Sequence, residues 1–262
     1  MIILLVFGIV LVLAEITRGW IAGELITLRR PRRRIVVEGH VAALVLCLML
    51  FFVSPIVFEM IVGQQPREAA SGRSVLVSII VDFVIVGLTV PLLIISRQNR
   101  LADFGLDLRN WRGEVRFGGL GFLMSFPLVL IALVLMASIR GPETEHPYLK
   151  LLERTDSERA IIGIAVAAVI AAPLTEELIF RVLFQGLLES LVPPSVAILI
   201  PAVCFCAIHG RYDAIPLFPL ALALGLVYHI RRSYIAVVTI HALFNATFMI
   251  LTLLPRGLFG GD

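Results

Sequence analysis

Three clusters of polar residues interrupt a largely apolar stretch between residues 160 and 250: Glu176-Glu177 with Arg181, Phe205 with His209, and His241 with Asn245. Each holds a pairing at i,i+4, which on a helix sets the two residues about 40° apart on one face. Neighbouring Glu176 and Glu177 lie about 100° apart, so they address different points. Glu177, Arg181 and Gln185 continue as one polar stripe. Glu177 is therefore expected to pair with Arg181, leaving Glu176 to face a separate cavity. A desolvated carboxylate can take a proton from water while a histidine helps to hold that water, and Glu176 with His209 suits this role. A second histidine and an amide can donate hydrogen bonds to the oxyanion of a tetrahedral intermediate, and His241 with Asn245 suits that one. No covalent nucleophile is required.

The elements that must carry these residues are membrane spans. Of the 262 residues, 59% are hydrophobic and 16% charged, against about 45–50% and about 25% in a soluble domain. A hydrocarbon core of about 30 Å needs about 20 apolar residues per helix, and about eight runs qualify or nearly do. The expected fold is all-α, a polytopic transmembrane bundle with its catalytic core in the C-terminal four spans. A charged side chain at mid-membrane costs roughly 2.5–3.5 kcal/mol even on the lenient insertion scale, so Glu176, Glu177 and Arg181 point to function.

In order, the expected spans are 2–14, 41–62, 75–96, 117–139, 161–191, 195–209, 216–230 and 234–254. Residues 1–159 supply the N-terminal helices and basic loops, 160–254 the core and 255–262 a short tail, all in one integral domain. Residues 2–14 have no basic segment ahead of them and no small-residue cleavage site after them, and read as a retained span or anchor rather than a cleaved signal. Arginines concentrate at 29–34, 97–116 and 231–232. Eight crossings put all three on one side, which the positive-inside rule makes cytoplasmic. Cluster 29–34 also suits anionic headgroups. Asp82 and Glu59 fall near span ends and read as snorkelling or arginine-paired residues. His229 reads as a headgroup-level residue, and His146 as a surface residue. The net charge of +3 sits in these loops, which argues against a nucleic-acid partner. Cys47, Cys204 and Cys206 lie in apolar runs without metal-type spacing and read as small hydrophobes.

Taken together, Glu-Glu-x-x-x-Arg at 176–181, Phe-x-x-x-His at 205–209 and His-x-x-x-Asn at 241–245 resemble the three ordered motifs of the CPBP intramembrane proteases. That family includes type II CaaX prenyl endopeptidases and bacterial Abi or bacteriocin-processing proteins. The resemblance covers roughly residues 160–250. Leu101 to Leu106 with Trp111-Arg112 are similar to the loop ahead of the family's core. The resemblance implies an intramembrane endopeptidase in the cytoplasmic membrane of a prokaryote, acting on a membrane-associated, peptide or prenylated substrate. Glu176 would activate water, His209 would be its partner, and His241 with Asn245 would stabilise the oxyanion. Glu177, Arg181 and Phe205 would orient the site. The family has been described as metal-free and as metal-dependent. Zinc on Glu176, His209 and His241 would make a three-ligand site, but no His-Glu-x-x-His helix is present, and the metal-free reading is preferred.

Each cluster also has a purely structural alternative. A Glu–Arg pair can lock helices, His209 can sit at an interface, and His241 with Asn245 can form an interhelical bond of about 0.6 kcal/mol. Other readings of the whole are a proton-coupled transporter, whose inverted repeats are not seen, and a non-catalytic scaffold or immunity protein. A serine or aspartyl intramembrane protease lacks its motifs here. One difficulty accompanies strict alternation of the spans: Glu176 and His209 are then expected to differ in depth by roughly 10–15 Å at 1.5 Å per residue. Substrate identity and oligomeric state leave no mark in the sequence.

Overall fold

The computed structural model describes residues 41–53 (without 42 and 49), 72–95, 101–137, 151–152, 155 and 157–254. The expected span 2–14, the arginine cluster 29–34, Glu59, His146 and the tail 255–262 lie outside the described residues. The helices are α1 (Ala43–Val53), α2 (Gly72–Ile95), α3 (Trp111–Ala137), α5 (Pro194–Ile208), α6 (Arg211–Arg231) and α7 (Tyr234–Leu253). Between α3 and α5 runs α4 (Glu158–Leu191), a continuous helix of 34 residues. No strand occurs among the described residues.

The expectation of about eight spans is met in part. Five helices, α2, α3, α4, α6 and α7, are long and apolar enough to cross a membrane, whereas α1 and α5 are shorter apolar helices. Helix α5 has 15 residues because Pro193 and Pro194 open it and Gly210, at φ 83°, turns the chain just after His209. Helix α3 begins at Trp111, so Arg112 and Arg116 are helical, and the basic connection is shorter than expected. Helix α6 begins at Arg211 and keeps Pro216 and Pro219 in its interior. The expected span began at Pro216, but neighbouring helices in a bundle re-satisfy the backbone groups that an interior proline frees, so the helix runs through it.

Helix α4 is not uniform. Turns of π-helix at Val166–Ala171 and Leu178–Gln185 flank a short α segment that holds Pro173, Glu176 and Glu177. Such π turns concentrate at functional sites, and they let the helix pass a proline without breaking. They also bracket the two glutamates with irregular backbone on both sides.

The core lies where α2, α5, α6 and α7 pack on α4. Helix α3 packs along α7 and α6, and α6 along α5. Leu178, Ile179, Leu183, Phe205, Leu220, Leu224 and Ile240 are fully buried there. The α6–α7 turn is stapled to its neighbours. Arg231 donates to the buried Glu114 of α3 at 2.7 Å, and Arg232 lies 3.5 Å from the buried Glu189 of α4. These two arginines, expected as a topology signal, are thus spent on carboxylates inside the bundle. The Ser233 hydroxyl caps α7 by accepting from Ala236 N–H at 3.2 Å.

Candidate active site

The two glutamates diverge as their spacing demands. Glu177 is fully buried, with Arg181 Nε 3.3 Å from its Oε2. Glu176 turns to the other side and is 14% exposed, into a cavity of about 310 Å³ that His209, His241 and Asn245 also line. Of the sequence-predicted site residues, Glu176, Phe205, His209, His241 and Asn245 line this one cavity, and Glu177 and Arg181 are buried beside it.

Glu176 Oε2 is the focus of the arrangement. His209 Nε2 stands 3.8 Å from it and His241 Nε2 3.9 Å, and the oxygen has no hydrogen-bond partner among the described residues. Separations of this size between polar groups suit a bridging water. Both imidazoles are held from behind. His209 Nδ1–H donates to the Phe205 carbonyl at 2.7 Å, a tautomer the carbonyl enforces because it can only accept. His241 Nδ1–H donates to Glu177 Oε1 at 2.8 Å. Each ring therefore turns its Nε2 toward Glu176.

Phe205 fills the space behind these groups and is fully buried. Its ring lies 4.5 Å from the His209 ring and 5.7 Å from that of His241, and the Arg181 guanidinium sits over it at 4.7 Å. Arg181 also donates to the Ala221 carbonyl of α6 at 3.3 Å. Asn245 uses one amide hydrogen on the Ala168 carbonyl, in the first π turn of α4, at 2.7 Å. An amide carries two such hydrogens, so the second is available to the cavity.

Two relationships escaped sequence reasoning. Glu177 was paired with Arg181 alone, yet it also holds His241, 64 residues away; nothing local signals that bond. Asp82, read as a snorkelling or arginine-paired residue, is half-buried on α2, beside Thr175 and within electrostatic range of Glu176. The Thr175 hydroxyl donates to its backbone carbonyl at 3.1 Å.

The expected depth mismatch disappears once depth is counted from the turn that α4 and α5 share. Glu176 precedes Leu191 by 15 residues, and His209 follows Pro194 by 15. On antiparallel helices joined by so short a turn, equal counts mean equal height. The long approach of α4 from Glu158 takes up the remainder.

No group of three or more His, Cys, Asp or Glu able to hold a metal ion occurs among the described residues. What the four side chains can do unaided is polarise a water between Glu176 and His209 and offer N–H donors from His241 and Asn245 across the cavity.

The apolar helices and the ionisable cavity inside the bundle define an integral membrane protein with an internal polar site. Residues 158–247 match the family model described as Type II CAAX prenyl endopeptidase Rce1-like, consistent with the CPBP family. The matched stretch contains all seven motif residues. No curated protein and no solved structure matches the chain.

Proposed function

We propose that this protein is an intramembrane endopeptidase that hydrolyses a peptide bond of a membrane-associated or prenylated substrate with water activated by Glu176. The observation that carries the reading is the position of Glu176 Oε2, unpartnered and facing two imidazole Nε2 atoms at 3.8 and 3.9 Å in one cavity. Residues 160–254 form the catalytic core and the earlier helices its scaffold, in a prokaryotic cytoplasmic membrane with the arginine-rich connections on the cytoplasmic side. Leu133, Leu217, Phe244 and Phe248 give the cavity apolar walls suited to hydrocarbon groups of a substrate.

Water held between Glu176 and His209 Nε2 gives a proton to the Glu176 carboxylate as its oxygen attacks the scissile carbonyl carbon. The carbonyl π electrons move onto oxygen, and the resulting oxyanion accepts hydrogen bonds from Asn245 Nδ2–H and from His241 Nε2–H. His241 presents that second N–H when both ring nitrogens carry a proton. On collapse the C–N bond breaks, and the proton held by Glu176 passes to the departing amine. Glu177 and Arg181 keep His241 oriented throughout, and Phe205 keeps both rings in place.

The domain match gives no support to the transporter and scaffold readings. The deciding experiment uses the full chain in lipid nanodiscs and an internally quenched farnesylated CaaX peptide. Cleavage by the wild type and its loss in Glu176→Ala, His209→Ala and His241→Ala supports the proposal; cleavage retained by Glu176→Ala sinks the mechanism.

A further inference from the structure

A second buried polar system begins where the motif residues stop. Arg181 Nη2 donates to the Ala221 carbonyl at 3.3 Å, Gln185 Nε2 to the Gly225 carbonyl at 2.8 Å, and His229 Nδ1–H to Glu189 Oε1 at 2.9 Å. The contacts step by four along α4 (181, 185, 189) and by four along α6 (221, 225, 229). They form three rungs in register between two helices. Gln185 also donates to Glu189 at 3.1 Å, and Arg232 Nη2 lies 3.5 Å from the same carboxylate. All of these side chains are buried.

On a plain α-helix the contacting positions of α4 would drift around the axis. Each step of four residues advances about 40°, so 177, 181, 185 and 189 would spiral through about 120°. The π turn at Leu178–Gln185 closes i→i+5 bonds and so rotates less per residue, which offsets that drift over the stretch carrying Arg181 and Gln185. The wider turn needs support from outside, because its own hydrogen bonding is a rare arrangement for a helix. Its upper end is tied by Glu177 to His241, and its lower end by Gln185 and Glu189 to α6.

Helix α6 is shaped to receive the ladder. A Cβ on Gly225 would come within 2.9 Å of an Ile198 methyl and 3.1 Å of Gln185 Oε1, so a side chain there would push both away. The far rung is then fixed to the rest of the fold. Arg232 Nη1 lies 3.5 Å from Tyr228 Oη, and the Tyr228 hydroxyl donates to the Phe104 carbonyl at 2.9 Å, in the connection ahead of α3. Tyr234 N–H donates to the carbonyl of the next residue, Gly105, at 3.0 Å.

We infer that Gln185, Glu189, His229 and Arg232, with Gly225 opposite, are positioning residues that set the axial and rotational register of α4 and so aim Glu176 and Glu177 at the two histidines. A slip of one residue along α4 would move both glutamates by about 1.5 Å and turn them by about 100°. A displacement of 1 Å can cost about a hundredfold in rate. The inference rests on the proposed function only for its activity arm.

The test uses full-length protein in nanodiscs, the quenched farnesylated peptide as activity probe, and histidine labelled with 13C at Cε1. The His241 resonance reports its bond to Glu177 whether or not any peptide is cut. The variants are Gly225→Ala, His229→Asn and His229→Leu, with the outward-facing neighbour Leu226→Ala as control. Gly225→Ala and His229→Leu are expected to shift or broaden the His241 resonance and to lower kcat at least tenfold with KM within about twofold. His229→Asn, which keeps a donor facing Glu189, should retain most of both. A packing role alone would rank Leu above Asn. If the wild type leaves the peptide uncut, the enzymatic reading has failed while the resonance still decides the inference. Folded Gly225→Ala and His229→Leu proteins with unchanged His241 resonance overturn it. So does failure of both to fold, since the ladder would then hold up the whole bundle rather than aim the site.

Discussion

His241 is held by Glu177 and not by Glu176: its Nδ1 lies 2.8 Å from Glu177 Oε1, whereas Glu176 faces the opposite edge of the ring at 3.9 Å. One imidazole therefore separates the two adjacent carboxylates. The glutamate that orients the histidine is also the one paired with Arg181.

That arrangement makes the two glutamates fail differently. Glu176→Gln is expected to lower turnover by about 10²–10⁴ while leaving the thermal transition of the purified protein in place. Glu177→Leu strands a fully buried arginine and should cost about 3–5 kcal/mol of stability, seen as a lowered midpoint for unfolding in detergent. Similar stability losses for both would contradict the division between them.

Asn245 offers a hydrogen bond to charge that develops during the reaction. Asn245→Ala should reduce kcat by about 10²–10³ and leave KM nearly unchanged. A raised KM with kcat preserved would place Asn245 in substrate binding instead.

Phe205 supports three site residues at once, so its size matters more than its polarity. Phe205→Ala should destabilise by about 3–5 kcal/mol. Phe205→Leu should fold more stably than Phe205→Ala but lose activity, because the face that orients both imidazoles and carries the Arg181 guanidinium is gone. A fully active Phe205→Leu protein would reduce the ring to filler.

Arg231 is tied to Glu114, whose side chain is almost fully buried. Arg231→Leu and Glu114→Leu should each destabilise strongly, and the double replacement should recover most of the loss, because no uncompensated charge remains. A double-mutant cycle with no coupling would return Arg231 to the status of a topology signal.

Water must reach the cavity for any of this chemistry. In a chain stripped of Cys47, Cys204 and Cys206, Leu217→Cys on the cavity wall should react with a small charged thiol reagent. Leu226→Cys, on the outer surface of α6, should be protected by lipid. Equal labelling of both would mean that the cavity is not selectively wet.

Much of the bundle could be read along the chain. The apolar runs at 195–209 and 234–254 became α5, with His209 at its cap, and α7, and Glu177–Arg181 followed from spacing on one helix face. What could not be read lies between helices. These helices are apolar on most faces, so their pattern does not say which face is buried or which neighbour covers it. Hence the Glu177–His241 bond, the Asp82 approach to Glu176 and the Glu189–His229 contact were invisible. The π turns of α4 left no signal either, since Val166–Ala171 and Leu178–Gln185 look like ordinary apolar helix. His229 shows the resulting error most plainly: a histidine at the end of a span suggested headgroups, but its partner is a glutamate 40 residues away.

The brevity of α5 bears on the lipid as well as on the protein. At 1.5 Å per residue its 15 residues measure about 22 Å, about 8 Å less than a typical hydrocarbon core. Hydrophobic mismatch of this kind is relieved by local thinning of the bilayer and by polar groups reaching for the surface. The end of α5 that borders the cavity carries His209, followed by Gly210, Arg211 and Asp213. A dimple in the membrane at that point would shorten the path of solvent to Glu176, so the bilayer itself becomes a part of the water supply.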